Sequence, residues 1–161
     1  MNKQILYSYL AGIIDGEAYI GIKKSTWGMR NRPDIKSPTY SERVQIRMSC
    51  PEVLKIFKDN FGGRFYKEPK IYQSKNGFKS QKIMYIYTAS DKIASKLIKS
   101  VLPYLIEKKM QAKYILELRK SKDSKEARLH GGPKQKRTMS DIVLNKREYL
   151  YQSIKNIHHP Q

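Results

Sequence analysis

Apolar residues follow two different periods along this chain, and the changes of period mark its elements. Residues 4–15 have apolar positions three and four apart, which is typical of one face of a helix. Residues 18–26 and 40–48 change to a period of two, with apolar side chains on one side and mostly basic or hydroxyl-bearing ones on the other. This alternation predicts two half-buried strands. The polar stretch 27–39 between them contains two prolines and is predicted to be a loop.

A helix, two strands and another helix are predicted next along the chain. Pro51 is a good first residue for a helix, and the Gly62–Gly63 pair is expected to end it. The Asn76–Gly77 dipeptide is a strong hairpin signal between two further predicted strands. The remaining predicted elements are strands over 64–72 and 82–89, helices over 91–102, 104–120 and 139–157, and a charged loop over 121–137.

This order predicts an α+β protein, αββαββα with extra C-terminal helices, in a single domain over 1–161 with its core at about 4–120. No apolar stretch approaches the roughly 20 residues of a membrane helix, so we expect no membrane partner. The single cysteine, Cys50, cannot form an internal disulfide, and no signal peptide is apparent. We therefore expect an intracellular protein of the cytoplasm or an organelle.

The charge balance indicates the kind of partner. The chain has 33 Lys and Arg residues against 14 Asp and Glu residues, a formal net charge of +19. The positive residues are spread over the whole chain, so the folded domain itself carries the field that attracts polyanions. Nucleic acid is the leading partner and an acidic membrane surface a distant second, but charge does not separate DNA from RNA.

Two carboxylates at the end of the first helix are the candidate chemistry. Asp15 and Glu17 stand near the negative end of the helix dipole, where we expect a compensating partner. A divalent cation is one candidate, and solvation at the surface is the alternative. The segment 10–18, LAGIIDGEA, closely resembles the signature of the LAGLIDADG homing endonucleases, with Ala18 in place of the usual final Gly. The predicted element order also resembles the layout of this family over most of the chain.

The resemblance implies a site-specific double-strand DNA endonuclease, intron-encoded or freestanding, with the LAGLIDADG fold and an antiparallel sheet that forms a DNA-binding saddle. It implies metal-dependent phosphodiester hydrolysis with Mg²⁺ (or Mn²⁺) as the cofactor. The implied metal ligands are the carboxylate of Glu17 and the backbone carbonyl of Gly16, with Glu17 as a catalytic residue. Hard oxygen ligands favour Mg²⁺.

Other implied site residues lie further along the chain. The segment 103–112 is similar to the family's lysine-bearing segment, which makes Lys108 an implied catalytic residue. It would steady the attacking water or the developing charge, and a solvated lysine is the alternative interpretation. Met48 stands where the family often has a polar residue. Either Ser49 or Gln45 then orders the water, or the site works without such a residue.

The motif occurs once, and the opening helix has no second copy. Hydrolysis by paired metals needs carboxylates from two sides, so a chain with one motif reaches that number by forming a homodimer. The resemblance implies the same arrangement, in which each active site cuts one strand of a long pseudo-palindromic target. The small residues Ala11 and Gly12 would let a second helix approach closely. The expected dimer interface consists of Leu10, Ala11, Gly12, Ile13 and Asp15.

Several other helical residues are assigned to packing within the chain's own domain. Ile5, Leu6, Tyr9 and Ile13 are expected to be buried in this way, although Ile13 is also in the expected interface. Near the C-terminus, His158 and His159 are interpreted as a tail rather than a metal site, because no third ligand is nearby.

The predicted sheet offers residues that suit the major groove, and the basic loops suit the backbone. In the second hairpin a shift of one residue exchanges the two faces. Arg64 or Phe65, and Tyr66 or Lys67, therefore remain alternatives there. The complete set of expected DNA contacts is Lys23, Ser25, Arg30, Arg32, Ser41, Arg43, Gln45, Arg47, Lys67, Lys82, Tyr85, Tyr87, Lys134, Lys136 and Arg137.

Two other function classes fit part of this pattern. A non-cleaving relative on the same scaffold, an RNA maturase or a DNA-binding regulator, would explain the fold and the charge. The presence of Glu17 favours cleavage, although a maturase could retain it. A basic ribosome-associated protein would explain the charge but not the motif.

Overall fold

The first helix runs directly into the first strand. Helix α1 spans Lys3–Glu17, and strand β1 begins at the next residue and spans Ala18–Ser25. Asn2 caps the start of α1, because its Oδ1 accepts from Gln4 N at 3.0 Å. Since no loop intervenes, Glu17 lies at the corner where the helix becomes a strand.

The remaining elements follow the predicted order. The structure is a computed structural model that describes residues 2–32, 35–68, 83–124 and 139–158. No helix in these ranges has the length and apolar character needed to cross a membrane. The elements after β1 are α2 (Trp27–Asn31), β2 (Thr39–Met48), α3 (Pro51–Phe61), β3 (Arg64–Lys67), β4 (Tyr85–Ser90), α4 (Asp91–Val101), a 3₁₀ helix (Leu102–Tyr104), α5 (Lys109–Asp123) and α6 (Asp141–His158).

Two boundaries differ from the prediction. The predicted loop 27–39 contains the short helix α2, in which the Asn31 side chain donates to Trp27 O at 2.8 Å. The predicted helix 104–120 starts later, at Lys109, because the chain first forms the 3₁₀ helix and an extended residue, Leu105. The predicted turn at Asn76–Gly77 lies outside the described residues.

The four strands form one antiparallel sheet in the order β1-β2-β4-β3. Its core face consists of the even-numbered residues of β1 and β2 and the odd-numbered residues of β3 and β4. Ile20, Val44, Ile46 and Ala89 on this face are fully buried in one cluster with residues of α1, α3, α4 and α5. The opposite face, which we call the polar face, carries the remaining strand residues.

The exposure of α1 agrees with the prediction at Leu6, which is buried, and at Gly12, which is exposed, but differs at four other positions. Leu10 and Ala11, predicted to lie in a dimer interface, are fully buried in the chain's own core. Ile5 and Tyr9, predicted to be buried, are 62% and 46% exposed. Both long sides of α1 carry apolar residues, so helical spacing alone cannot tell which side faces the sheet.

The register of β4 corrects a second expectation. Tyr85 and Tyr87, predicted to contact DNA, pair with Met48 and Ile46 and therefore point to the core face. Tyr87 is fully buried against Phe57, with ring centroids 5.4 Å apart, and burial raises the pKa of its phenol to about 12. Tyr85 stacks on Phe65 at 6.0 Å.

The same register settles the alternatives in β3. Lys67 pairs with Tyr85 and so shares the core side of the sheet, at its exposed end, which does not fit the expected base contact. Arg64 and Tyr66 lie on the polar face instead and pair with Thr88 and Ile86. Paired residues of neighbouring strands point to the same face, so a shift of one residue exchanges these roles.

A buried ion cluster fixes α5 to the sheet. Glu42, fully buried on the core face of β2, lies 2.8 Å from both Arg119 Nη2 and Lys122 Nζ of α5. Lys122 Nζ also lies 2.5 Å from Asp91 at the start of α4. A buried carboxylate is stable only when it is paired in this way. The cluster therefore sets the position of α5, which begins beside the motif.

Candidate active site and nucleic-acid interface

Asp15 joins the end of α1 to the start of α5. Its Oδ2 accepts a hydrogen bond from Ile106 N at 2.8 Å, and its Oδ1 accepts one from Lys108 N at 2.9 Å. Lys108 is the N-cap residue of α5, and its own side chain makes no cap bond. Asp15 therefore acts as a capping acid for a helix more than 90 residues away in sequence, and both of its carboxylate oxygens accept from backbone N–H groups.

The side chain of Lys108 in turn contacts the end of α1. Its Nζ donates to Ile14 O at 3.0 Å and to Asp15 O at 2.6 Å, so the ammonium group lies against the last carbonyls of α1. A positive charge at a helix C-terminus is favourable because the dipole is negative there. The partner that we expected to compensate the acids of the motif is thus supplied in part by this lysine.

Glu17, the other acid of the motif, is exposed to solvent. It makes no hydrogen bond or ion pair with any residue that the structure describes. Gly16 beside it is also exposed, and a Cβ placed there would meet nothing within 4 Å. The carbonyl of Gly16 is among the last four of α1, which lack helical donors. A carboxylate and a carbonyl oxygen are therefore available at this corner.

The oxygen donors at this corner come from one side chain and one backbone carbonyl. Among the described residues no group of three or more His, Cys, Asp or Glu side chains could hold a metal ion. Because Asp15 is engaged, the corner offers the Glu17 carboxylate and the Gly16 carbonyl. These hard oxygen donors suit Mg²⁺, which usually keeps several waters and needs few protein ligands. The donors at this corner therefore suit such a cation.

An exposed apolar strip leads to this corner. Ile5, Tyr9 and Gly12 are exposed along α1, and a Cβ at Gly12 would meet nothing within 4 Å. Next to the Asp15 contact, Ile106 is 87% and Met110 is 49% exposed. A helix face with small residues allows a second backbone to approach closely. Of the expected interface residues, Gly12 is on this open side.

The polar face of the sheet carries no acidic strand residue among those described in β1–β4. Arg43 and Arg64 line a cavity of about 340 Å³ together with the side chains of Lys23, Ser41, Thr88 and Ser90. The expected contacts Lys23, Ser41, Arg43, Gln45 and Arg47 all lie on this face. Arg64 was expected only as an alternative to Phe65, and the register decides for Arg64. Thr88 was not among the expected contacts.

Two expected contacts have partners within the chain. Arg47 donates two hydrogen bonds to Glu68 Oε2, at 2.9 and 2.7 Å, so its guanidinium is held at one edge of the polar face. The Ser25 hydroxyl accepts from Trp27 N at 3.3 Å at the start of α2. Arg30 and Arg32 are exposed in and after α2. Lys82, Lys134, Lys136 and Arg137 lie outside the described residues.

The prediction that His158 belongs to a C-terminal tail is wrong. It is the last residue of α6, and its Nε2 lies 2.8 Å from Ile20 O of β1. Its ring stacks on Tyr19 with centroids 4.8 Å apart. The contact spans 138 residues, and nothing in the local sequence indicates it. His159 lies outside the described residues.

Met48 is partly buried and packs against the core cluster. It therefore points away from the polar face, and its place near the motif holds no polar side chain. Gln45 lies on the polar face opposite Tyr19, whereas Ser49 is exposed beyond the end of β2.

No protein-family model matches the sequence, and no curated protein matches it at a significant level. Solved structures do match. The homing endonuclease I-CvuI, in complex with a DNA target, is 16% identical with a TM-score of 0.70, over 99% of this chain and 85% of that one. The homing endonuclease I-TnaI is 14% identical with a TM-score of 0.59, over 93% of each chain.

The LAGLIDADG homing endonuclease I-GzeII, in complex with a DNA target, is 16% identical with a TM-score of 0.58. The match covers 96% of this chain and 49% of that one, so this chain corresponds to about half of I-GzeII. The chain therefore has the fold of the LAGLIDADG homing endonucleases, and the expected α+β architecture with the αββαββα order is confirmed.

Proposed function

We propose that this protein is a site-specific double-strand DNA endonuclease that acts as a homodimer and uses a divalent cation held by Glu17 of each copy. The proposal rests on the different environments of the two motif acids, Asp15 and Glu17. Both oxygens of Asp15 are bound by backbone N–H groups, whereas Glu17 is left open at the corner beside Gly16. An exposed acid at a helix C-terminus lies near the negative end of the helix dipole, which is unfavourable. Its presence here, without a partner among the described residues, supports a role in function.

A second copy of the chain completes the site. The exposed side of α1, with Ile5, Tyr9 and Gly12, would pack against the same side of its partner about a two-fold axis. Because Glu17 lies at the end of this strip, the axis brings the two carboxylates together. Ile106 and Met110 extend the apolar surface that the pairing would cover.

The residues at the corner have separate tasks. When bound, the cation supplies an activated water and neutralises charge on the leaving oxygen. Glu17 provides a carboxylate ligand and Gly16 a carbonyl ligand. Lys108 holds the carbonyls of Ile14 and Asp15 and thereby fixes the direction of the last turn of α1. We further propose that its positive charge stabilises charge that develops at the phosphate during cutting.

The polar face is the proposed DNA-binding surface. Lys23, Arg43, Arg47 and Arg64 lie on it without any acidic strand residue beside them in the described part of the sheet. A sheet face of this kind fits the major groove, where base pairs are distinguishable. The net charge of +19 would support binding to the phosphates. The DNA complexes of I-CvuI and I-GzeII support double-stranded DNA as the partner.

A DNA-binding regulator without cleavage is the second candidate. The observation in its favour is Met48, an apolar residue packed into the core where the resemblance leads us to expect a polar one. This candidate predicts sequence-specific binding without any cutting by the wild-type chain.

The test is incubation with a library of duplexes in Mg²⁺. The wild-type chain should cut a small set of related sequences, and Glu17→Gln should bind the same set with similar affinity but not cut it. Glu107→Gln is the matched control, because it removes an exposed carboxylate close to the site but outside the motif. If Glu17→Gln cuts as fast as wild type, the proposal is wrong; binding without any cutting by wild type would support the regulator.

A further inference from the structure

The end of the C-terminal helix touches the strand that follows the motif. His158 Nε2 lies 2.8 Å from Ile20 O, and its ring stacks on Tyr19 with an interplanar angle of 24°. Strand β1 is at the edge of the sheet and pairs only with β2. His158 therefore contacts a backbone carbonyl of β1, an edge strand of the described sheet, one residue beyond Tyr19 and three residues beyond Glu17 along the chain.

Tyr19 lies flat along its own strand. A Cβ placed on Gly21 would collide with the Oη, Cζ and Cε1 atoms of the Tyr19 ring. The ring thus occupies the place on the polar face that a side chain at position 21 would fill. Glycine is needed at 21 for this close approach rather than for its backbone angles.

The Tyr19 ring lies close to Arg43 of the neighbouring strand. In the register of the sheet Gly21 is directly opposite Arg43, so the ring that covers Gly21 lies beside the guanidinium. Burial raises the pKa of Tyr19, and the charge of Arg43 opposes this rise, which agrees with their proximity. Arg43 Nε is buried and makes no hydrogen bond with any described residue. In the described part of the chain, packing rather than a hydrogen bond therefore restrains this donor.

We propose that His158 and Tyr19 are positioning residues that set where Arg43 meets the DNA, and through it the base preference at one pair of each half-site. This inference rests on the proposed function. Arginine reads guanine through O6 and N7 in the major groove, so the base concerned is guanine. The C-terminal helix thereby takes part in specificity without contacting the base.

Gly21→Ala is the sharpest variant for testing this proposal. The three nearest atoms that the added methyl group would meet all belong to the outer end of the Tyr19 side chain, so Tyr19 can swing away and we expect the fold to remain about as stable as wild type. His158→Ala removes the stack from the other side. Both variants should lose about 10-fold of the preference for guanine at one position, the range expected for one arginine–guanine contact. Arg43→Ala identifies that position independently.

Lys155→Ala is the matched control, because Lys155 lies on α6 three residues before His158 and lines the groove formed by Tyr19 and His158. It should weaken binding to all sequences about equally and leave the base preference unchanged. Relaxed preference at the same position in Gly21→Ala, His158→Ala and Arg43→Ala supports the proposal. If the first two variants keep the wild-type preference at the position that Arg43→Ala alters, the proposal is overturned, whatever happens to stability.

A measurement without DNA separates this inference from the proposed function. The NMR resonance of Arg43 Nε–H should move in both Gly21→Ala and His158→Ala but not in Lys155→Ala. A resonance that stays in place in the first two variants overturns the positioning role even if the protein cuts DNA. If it moves while wild type neither selects nor cuts any duplex, the positioning stands and the proposed function fails.

Discussion

The two acids of the motif should respond in opposite ways to loss of charge. Asp15→Asn keeps the shape of the side chain, but an amide has one oxygen where the carboxylate has two. The variant can therefore accept from Ile106 N or from Lys108 N, and it turns its NH2 group towards the other. Glu17→Gln loses no such bond, because Glu17 has no partner among the described residues.

The magnitudes follow from these contacts. A hydrogen bond to a charged acceptor contributes about 1.5–3 kcal/mol, and a helix-capping side chain contributes typically about 1 kcal/mol. Asp15 is only partly buried, so the low end of the first range applies, and loss of one bond with weakening of the other costs about 2 kcal/mol. Removing the exposed charge of Glu17 from the negative end of α1 should change stability by no more than about 0.5 kcal/mol.

Urea denaturation of both variants, with a common slope, measures the two free energies of unfolding. Cutting at a temperature where both variants are folded gives the second readout. Asp15→Asn should be the less stable variant and retain measurable cutting, whereas Glu17→Gln should be as stable as wild type and inactive. A stable Asp15→Asn, or a Glu17→Gln that loses more than about 1 kcal/mol, would refute the assignment of one structural and one functional acid.

Three further predictions concern buried and titrating groups. Tyr87→Phe should unfold at the same or a higher urea concentration, because the buried Oη has no hydrogen-bond partner among the described residues; a clear loss would show that it has one. Glu42→Leu should lose about 3–5 kcal/mol in the same assay, since Arg119 and Lys122 would be left without their buried carboxylate, and a variant as stable as wild type would contradict the cluster. For Glu148, burial raises the pKa, but hydrogen bonds with Lys24, Tyr40 and Gln152 outweigh it, so the pKa is lowered. The stability that ionised Glu148 contributes is therefore present above its unfolded pKa and is lost as pH falls through the lower folded pKa. In Glu148→Gln the free energy of unfolding should fall less steeply at acid pH than in wild type. An unchanged acid dependence would contradict this.

The sequence predicted those features that a single period defines. In β2 the apolar residues Val44 and Ile46 alternate strictly with Arg43, Gln45 and Arg47, and the structure has these faces as expected. Glu42 has the parity of the buried face, so its burial could have been read from the same alternation. It was missed because an acid is seldom buried unless it is paired, and its partners are on α5.

The wrong predictions have physical causes of the same kind. In β4 the core face carries Tyr87, which is buried, and Tyr85, which is partly buried, whereas the apolar Ile86 has the parity of the polar face. Side-chain polarity therefore does not predict the face along this strand. On α1 both sides are apolar, and only the packing of the sheet decides that Leu10 faces inward and Tyr9 outward.

The contacts of the candidate site that matter most connect distant parts of the chain. Asp15 with Ile106 and Lys108, and His158 with Ile20, join residues about 90 to 140 positions apart. No local period carries such information. The motif indicated that an acid matters at this corner, and the hydrogen bonds of the fold distinguish which of the two is free.

The most direct test of the proposed site is cutting by mixed dimers. Wild-type chains and Glu17→Gln chains, co-expressed in equal amounts and free to pair, form dimers of which about a quarter contain two wild-type copies. If double-strand cutting requires Glu17 from both copies, the rate at a saturated target falls to about a quarter of the wild-type rate. A fall to about one half would mean that each chain cuts by itself, and would contradict the shared site.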